Sequence, residues 1–367
     1  MAFEIDFIGV GDESKKDADA ICFRWSDDGE KYSVGIYDGG LSVYGKKLVD
    51  HLNQYYFDDP DNLKNKQLKV IDFVVVSHSD MDHTKGILDV LENFNVKSLY
   101  MNRPWLYAED VFDNVSDGRI TIESLKKRIQ EKYLYIAEIE DVAQKHGVPI
   151  YEAFQGISLG EHSEFTILSP DKEFYCKLLV ESEKTPLKSV KESAKNFISK
   201  IKEIFETWST ECLREDISTS EENEMSVVLY GTLDKNVLFT GDAGKRALSN
   251  AIEYANDILN IRLKELVNFY QIPHHGGRHN VTPSILDELV GDIVKEGSVL
   301  KKIAYASTAK DSDHPKRMVV NGFIRRGVKV YATNGVTLWH HSGTPARLGW
   351  SSAVAEVFSK HVEDWDD

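Results

Sequence analysis

Residues 77–86, SHSDMDHTKG, set two histidines and two aspartates within six positions, directly after the apolar run VIDFVVV. Imidazole nitrogens and carboxylate oxygens are the side-chain groups that hold zinc, manganese or magnesium. Four more places repeat the arrangement of a strand-like run ending in a metal-capable side chain. They are Asp38 in IYDGG, Asp242 in LFTGDAG, His274 and His275 in QIPHHGG, and His314 in KDSDHPKR. An aspartate after a strand is often only a helix cap. Capping does not explain H-x-D-x-D-H followed later by HHG and HP, whereas one shared cation cluster does. In a loop leaving a strand, His78 and Asp80 can point one way while Asp82 and His83 turn toward a second position. That arrangement serves two divalent cations about 3.5–4 Å apart, with Asp242 between them.

These groups can meet only if the elements before them share one sheet edge. FEIDFIGV, AICFRW and KYSVGIYDGG read as strands of a hairpin-built sheet. LSVYGKKLVDHLNQYY has helical spacing, VIDFVVV is a short buried strand, and ILDVLENF returns to helix. Residues 118–146 keep a helical period with Gly147 as the stop. Two strands joined by a turn at Leu233–Asn236 precede the TGD aspartate. Thr282 caps a helix with Pro283 at its first position. Asn334-Gly335 predicts a closing hairpin between VKVYAT and VTLWHH. The lysine- and glutamate-rich stretch 180–224 reads as an insertion with an amphipathic helix around Val190 to Trp208. Residues 355–367 read as an acidic tail, frayed or used as a partner's handle.

The 367 residues, 41% hydrophobic and 28% charged, suit one elaborated domain rather than a disordered chain. No apolar run approaches the roughly 20 residues that cross a bilayer. The N-terminus lacks a signal-peptide pattern, so a soluble, cytoplasmic protein without membrane contact is expected. Cys22, Cys176 and Cys212 lack CxxC spacing and predict neither disulfides nor a thiolate site. A net charge of −16 repels long polyanions unless a local patch or bound cations reverse the field.

H-x-D-x-D-H after an apolar strand, preceded by YDGG and followed by TGD, resembles the metallo-β-lactamase superfamily. The order GVG, DADAICFRW, SHSDMDHTKG, NEMSVVLYG, LFTGDAG, IPHHGGRHN and DHP is most similar to the hydrolase domain of ComEC-type competence proteins. The resemblance spans roughly residues 4–340 and implies an α+β fold, a four-layer αββα sandwich with the metal site on one edge. Helical segments at 104–146 and 187–215 have no counterpart in it and are expected to be insertions within a single domain, 1–367. Asp80 stands where the commoner motif has histidine, which puts hard oxygen in place of nitrogen. The site should therefore accept manganese or magnesium as well as zinc. The histidine that many members carry before the TGD aspartate is absent, and Asn223 and Ser226 are the nearest substitutes. Which of His274 and His275 ligates stays open, the other serving as a hydrogen-bonding neighbour.

The expected cofactors are two divalent cations held by His78, Asp80, Asp82, His83, Asp242, His274 and His275, with Asp38, Asn223 and Ser226 behind them. The expected chemistry is hydrolysis by an activated water. Asp82 would also orient that water, His314 or His279 would protonate the leaving group, and Lys85 or Arg278 would hold a substrate phosphate. A phosphodiester in nucleic acid or a nucleotide leads as substrate. Ester, thioester or lactam hydrolysis is the competing chemistry. A role as effector subunit of a larger assembly, docked through the insertion helix or the tail, is the competing class.

Overall fold

A computed structural model describes residues 1–10, 15–57, 69–115, 120–187 and 203–365. Strand β1 (Ala2–Phe7) shows why a layered fold forms. Its alternate residues Phe3, Ile5 and Phe7 are fully buried in a core shared with the facing sheet. Strands β2 (Ala20–Ser26) and β3 (Ser33–Gly39) continue the pattern. Ile21, Phe23, Trp25 and Tyr37 join that core, while Ala20, Cys22, Val34 and Ile36 pack on the opposite face.

The first sheet has seven strands in the order 338–342, β1, β2, β3, 73–75, 99–100, 150–151. The second also has seven, in the order 328–332, 302–306, 267–271, 236–239, 228–231, 165–169, 158–159. Between them lies an aromatic core in which Phe23 meets Phe165 at 5.0 Å, Phe239 at 5.2 Å and Phe73 at 5.8 Å. Helices α1 (Ser42–Tyr55), α2 (Met81–Asn93), α3 (Ile122–Lys132) and α4 (Leu134–His146) cover the outer face of the first sheet. Helices Lys245–Asp257, Pro283–Leu289 and Arg317–Arg325 cover the second. The result is the four-layer αββα sandwich expected from the sequence, and among the described residues no helix is long and apolar enough to cross a membrane.

Strand direction positions the site. β3 and 73–75 run parallel, as do 236–239, 267–271 and 302–306. Their carboxyl ends therefore emerge at one edge, and Asp38, His78, Asp242, His274 and His314 lie at or just beyond those ends. Gly86 lets α2 sit close enough to deliver its first turn there. A β-carbon on Gly86 would lie 1.9 Å from the Gly39 carbonyl oxygen, so any side chain would push the helix away.

The structure differs from expectation at several elements. Asn334 (φ 45°) and Gly335 (φ 79°) do form a left-handed turn, but the flanking strands join different sheets rather than a hairpin. Residues 338–342 pair with β1 instead, covering an edge whose N–H and C=O groups would otherwise lack partners. Of the predicted insertion helix, 188–202 lie outside the described residues, and the remainder is not helical where it begins. Glu203–Phe205 form a strand paired with His361–Glu363. Long-range partners override the local helical period here. Glu206, fully buried, is bonded to Arg325 at 2.6 Å and Asn321 at 3.0 Å. The acidic tail is likewise pinned as far as Trp365, with Val362 fully buried and Glu363 accepting from the Arg317 backbone N–H at 3.0 Å. Pro104–Tyr107 and Phe112–Asn114 are short 3₁₀ turns ahead of α3 and α4, and α4 is stopped by Gly147 at φ 68°.

His340 is a core residue, stacked on Phe269 at 4.5 Å and packed near Phe3 and Tyr305. Burial, with Lys235 and His341 adding repulsion, pushes its pKa down to about 3. The unfolded chain therefore binds a proton at His340 that the folded chain excludes between about pH 6.5 and pH 3. This group should remove about 1.4 kcal/mol of stability per pH unit as pH falls through that window. Denaturant unfolding of wild type and His340→Leu at pH 7 and pH 4.5 checks this. The variant should lose less stability on acidification, and equal losses would show that His340 is not the excluded group.

Candidate metal centre

Asp38 closes β3 in the left-handed region, φ 60°, where a non-glycine residue is strained. Its carboxylate accepts from the Ser77 N–H at 2.7 Å, the Ser77 hydroxyl at 2.6 Å and His83 Nδ1 at 2.8 Å. A carboxylate partner fixes the His83 proton on Nδ1 and turns Nε2 toward Asp242 Oδ1, 3.2 Å away. The Ser77 hydroxyl has given its only proton to Asp38. It must therefore accept from His78 Nδ1 at 3.0 Å, which leaves Nε2 of His78 to face Asp80 Oδ2 (3.8 Å) and Asp242 Oδ2 (3.7 Å). One buried aspartate thus orients both histidines of the motif.

The motif is only half a loop. Asp80 is the N-cap residue of α2, and Asp82 and His83 are in the helix's first turn, which brings the His83 ring to 4.3 Å from that of His78. Across the cleft, His274 (φ 50°) and His275 (φ 57°) occupy consecutive left-handed positions. His275 sets Nε2 3.5 Å from Asp82 Oδ2, and His274 sets Nε2 3.7 Å from Asp242 Oδ2. Ser226 accepts from the Asp242 backbone N–H at 3.1 Å, and Asn223 touches His274 at 3.1 Å.

Asp19 is the residue that sequence reasoning missed. It is buried, 3.6 Å from His275 Nδ1 and 4.0 Å from His83 Nδ1. One ligand atom each from Asp19, His83, Asp242 and His275 lies within 4.8 Å of the others. The signal was available in the hairpin. β2 runs antiparallel to β3 with Ala20 opposite Gly39, so the residue just before β2 lies at the edge where β3 ends.

Not every candidate joins the cluster. Lys85, on α2, pairs with Glu138 and lies over the Tyr135 ring at 4.5 Å. Arg278 is buried beneath the tail, donating to the Asp364 carbonyl and lying over Trp365 at 5.5 Å. His279 meets the same indole edge-on at 5.4 Å. Proximity to the motif in sequence did not bring these side chains to the cleft. His314 does reach it, lining a cavity of about 610 Å³ together with Lys15, Lys16, Asp17, Asp82 and His275. Its Nδ1 is bonded to Asp17 Oδ2 at 2.8 Å.

The donor chemistry fits divalent cations. Nε2 of His78 and His83, both ring nitrogens of His275, both Asp19 oxygens and Asp242 Oδ1 are buried without a hydrogen-bond partner among the described residues. Such a concentration of unsatisfied polar atoms costs stability unless something binds them. Ligand atoms about 2.1 Å from one cation in tetrahedral array lie about 3.4 Å apart, close to the separations here. Burial lowers the His83 pKa, but the Asp242 and Asp38 carboxylates outweigh it and raise it well above the ordinary value. Burial raises Asp242, and the surrounding histidines, His83 and His274 foremost, reverse that and hold it well below the usual carboxylate range. Asp19, where burial prevails over His275 and His83, is raised.

Fold and cluster together define a class, an αββα sandwich with a His/Asp cation site at one edge. No family model and no curated protein matches the sequence. Among solved structures the chain is similar to a metallo-β-lactamase mutant from Cronobacter sakazakii, at 12% identity over 72% of this chain and 74% of that one, with a TM-score of 0.30. It is similar to an archaeal metallo-β-lactamase superfamily protein from Sulfolobus tokodaii, at 13% identity over 80% and 89%, TM-score 0.28. It is also similar to the CmlA β-hydroxylase, at 10% identity over 93% of this chain and 54% of that one, TM-score 0.39. Likenesses this distant identify neither family nor activity, and the functional reading rests on the side chains.

Proposed function

We propose that this protein is a metal-dependent hydrolase acting on a phosphodiester of nucleotide size. The observation that carries the reading is the convergence of buried, unsatisfied histidine and aspartate atoms at the wall of an open cavity that lysines also line. His78, Asp80, Asp82, His83, Asp242, His274 and His275 would hold divalent cations of the zinc or manganese type. A cation bound there acidifies water and offsets negative charge building on a phosphoryl oxygen.

The chain's own groups supply the rest. Asp82, a third exposed, reaches the cavity and can orient the attacking water. Lys15 and Lys16 add positive charge at the mouth, where a phosphate would enter. Asp17, itself fixed by the Ala309 N–H and the Ser312 hydroxyl at 2.7 Å each, holds Nδ1 of His314. Nε2 is then the exchangeable nitrogen, suited to hand a proton to a departing alkoxide. The net charge of −16 disfavours a long polyanion and favours a short one.

Purified protein supplied with manganese or zinc should be incubated with single-stranded DNA, RNA, cyclic nucleotides, and a thioester and lactam panel. Cleavage of a thioester or lactam alone would remove the phosphodiester reading. The proton-donor role has its own check. His314→Ala should lower kcat by about 10²–10⁴-fold on alkoxide leaving groups, with little loss on a p-nitrophenyl phosphodiester that leaves unprotonated. Equal loss on both substrates would exclude His314 as the acid.

A further inference from the structure

The sequence offers the vicinal histidines His274 and His275 as one ligand and one hydrogen-bonding neighbour. Here each faces a different carboxylate, His274 Nε2 that of Asp242 and His275 Nε2 that of Asp82. His83 Nε2 lies by Asp242 Oδ1, in the group with Asp82 and His275, whereas His78 and His274 both direct Nε2 to Asp242 Oδ2 at 3.7 Å. His274 thus stands on the side of the cleft that His78 and Asp80 occupy.

Its tautomer can be deduced. Asn280 is fully buried, and its Nδ2 donates to the Asp242 carbonyl at 2.7 Å and approaches the Ala243 carbonyl at 3.4 Å. Two carbonyl acceptors fix which end of that amide is NH₂. Asn280 Oδ1 is therefore the atom 2.9 Å from His274 Nδ1, and an amide oxygen can only accept. Nδ1 carries the proton and Nε2 presents its lone pair to the cleft. With the proton there, Nδ1 cannot accept from Asn223. The Asn223 Nδ2, 3.1 Å from that nitrogen, donates instead to the Thr219 hydroxyl at 2.8 Å. The backbone holds the ring in place as well, since the His274 N–H donates to the Gly241 carbonyl at 3.1 Å and its carbonyl accepts from Gly277 at 2.8 Å.

We propose that both vicinal histidines are ligands: His274 completes a first cation site with His78, Asp80 and Asp242, His275 serves a second with Asp82, His83 and Asp242, and Asn280 is the positioning residue that sets the His274 tautomer. This rests on the cation-binding reading above and adds to it an allocation of ligands and a residue outside the ligand set. Asp80 is shared with a lysine, since Lys184 Nζ lies 2.6 Å from its Oδ1 while Oδ2 faces His78. The first site is accordingly the more exposed of the two. The His274 side chain is 36% accessible against 4% for His275. It should be the weaker and more exchangeable site.

The test is elemental analysis and zinc titration of wild type, His274→Ala, Asn280→Ala and Asn280→Asp, each checked for native circular dichroism. Wild type should hold two cations and His274→Ala one. Asn280→Ala should weaken one cation by about 10–100-fold, and Asn280→Asp, which still accepts from Nδ1–H, should restore it. Two cations at unchanged affinity in His274→Ala would overturn the allocation and leave the hydrolase reading standing. No cation in wild type would overturn both. Long-range ¹H–¹⁵N spectra of the wild-type imidazoles need no variant: the His274 signal should be the Nδ1–H tautomer, and an Nε2–H signal would refute the proposal.

Discussion

Asp242→Ala is expected to release both cations and to lower turnover by about 10²–10³-fold, the scale seen when a principal electrostatic element is removed. Asp242 is buried and its two oxygens face different ligand groups, His83 at 3.2 Å on one side, His78 and His274 at 3.7 Å on the other. No other carboxylate among the described residues has that placement. Asp19 lies toward the Nδ1 atoms of His83 and His275, and Asp82 lies by His275 alone. Metal content and turnover of the purified variant decide the matter. Retention of two cations with turnover within about tenfold of wild type, a barrier change of only about 1.4 kcal/mol, would sink the bridging role.

Asp38→Ala should have the largest effect on stability among the site residues and should weaken cation binding without touching a cation. It removes the acceptor for the Ser77 N–H, the Ser77 hydroxyl and His83 Nδ1 at once, in a place with no access to water. Orphaning buried donors of this kind costs about 1–3 kcal/mol each, so a total near 3 kcal/mol is expected even after some relaxation. Because Ser77 passes the orientation on to His78, both motif histidines lose their fixed tautomer, and cation affinity should fall about 10–100-fold. Asp38→Asn tolerates the left-handed backbone and keeps an acceptor, so its losses should be smaller. Denaturant unfolding and zinc titration of the pair would measure this. Two variants equal to wild type in both would show that Asp38 does not orient the motif.

The motif and its strand context were legible because ligand chemistry and strand ends are both local. H-x-D-x-D-H, TGD and HHG name their side chains outright, and an apolar run before each places it at the end of a strand. Asp19 was not legible in the same way, since it precedes its strand and reaches the edge only because β2 runs antiparallel to β3. Lys85, Arg278 and His279 illustrate the opposite case. They sit beside the motifs in sequence, but helix rotation sends Lys85 to Glu138, and the tail residue Trp365 takes the other two. Asn334-Gly335 predicted its turn correctly and its strand pairing wrongly, because φ is a local preference and the choice of sheet belongs to whichever edge lacks partners.

By itself, the sequence determined the alternation that builds two facing sheets, the residue types able to bind cations, and their position at strand ends. Tertiary structure alone decided which nitrogen of each histidine faces the cleft. That choice belongs to the hydrogen-bond partner behind the ring, and Asp38, Ser77 and Asn280 reach their histidines only once separate strands, helices and loops have packed together.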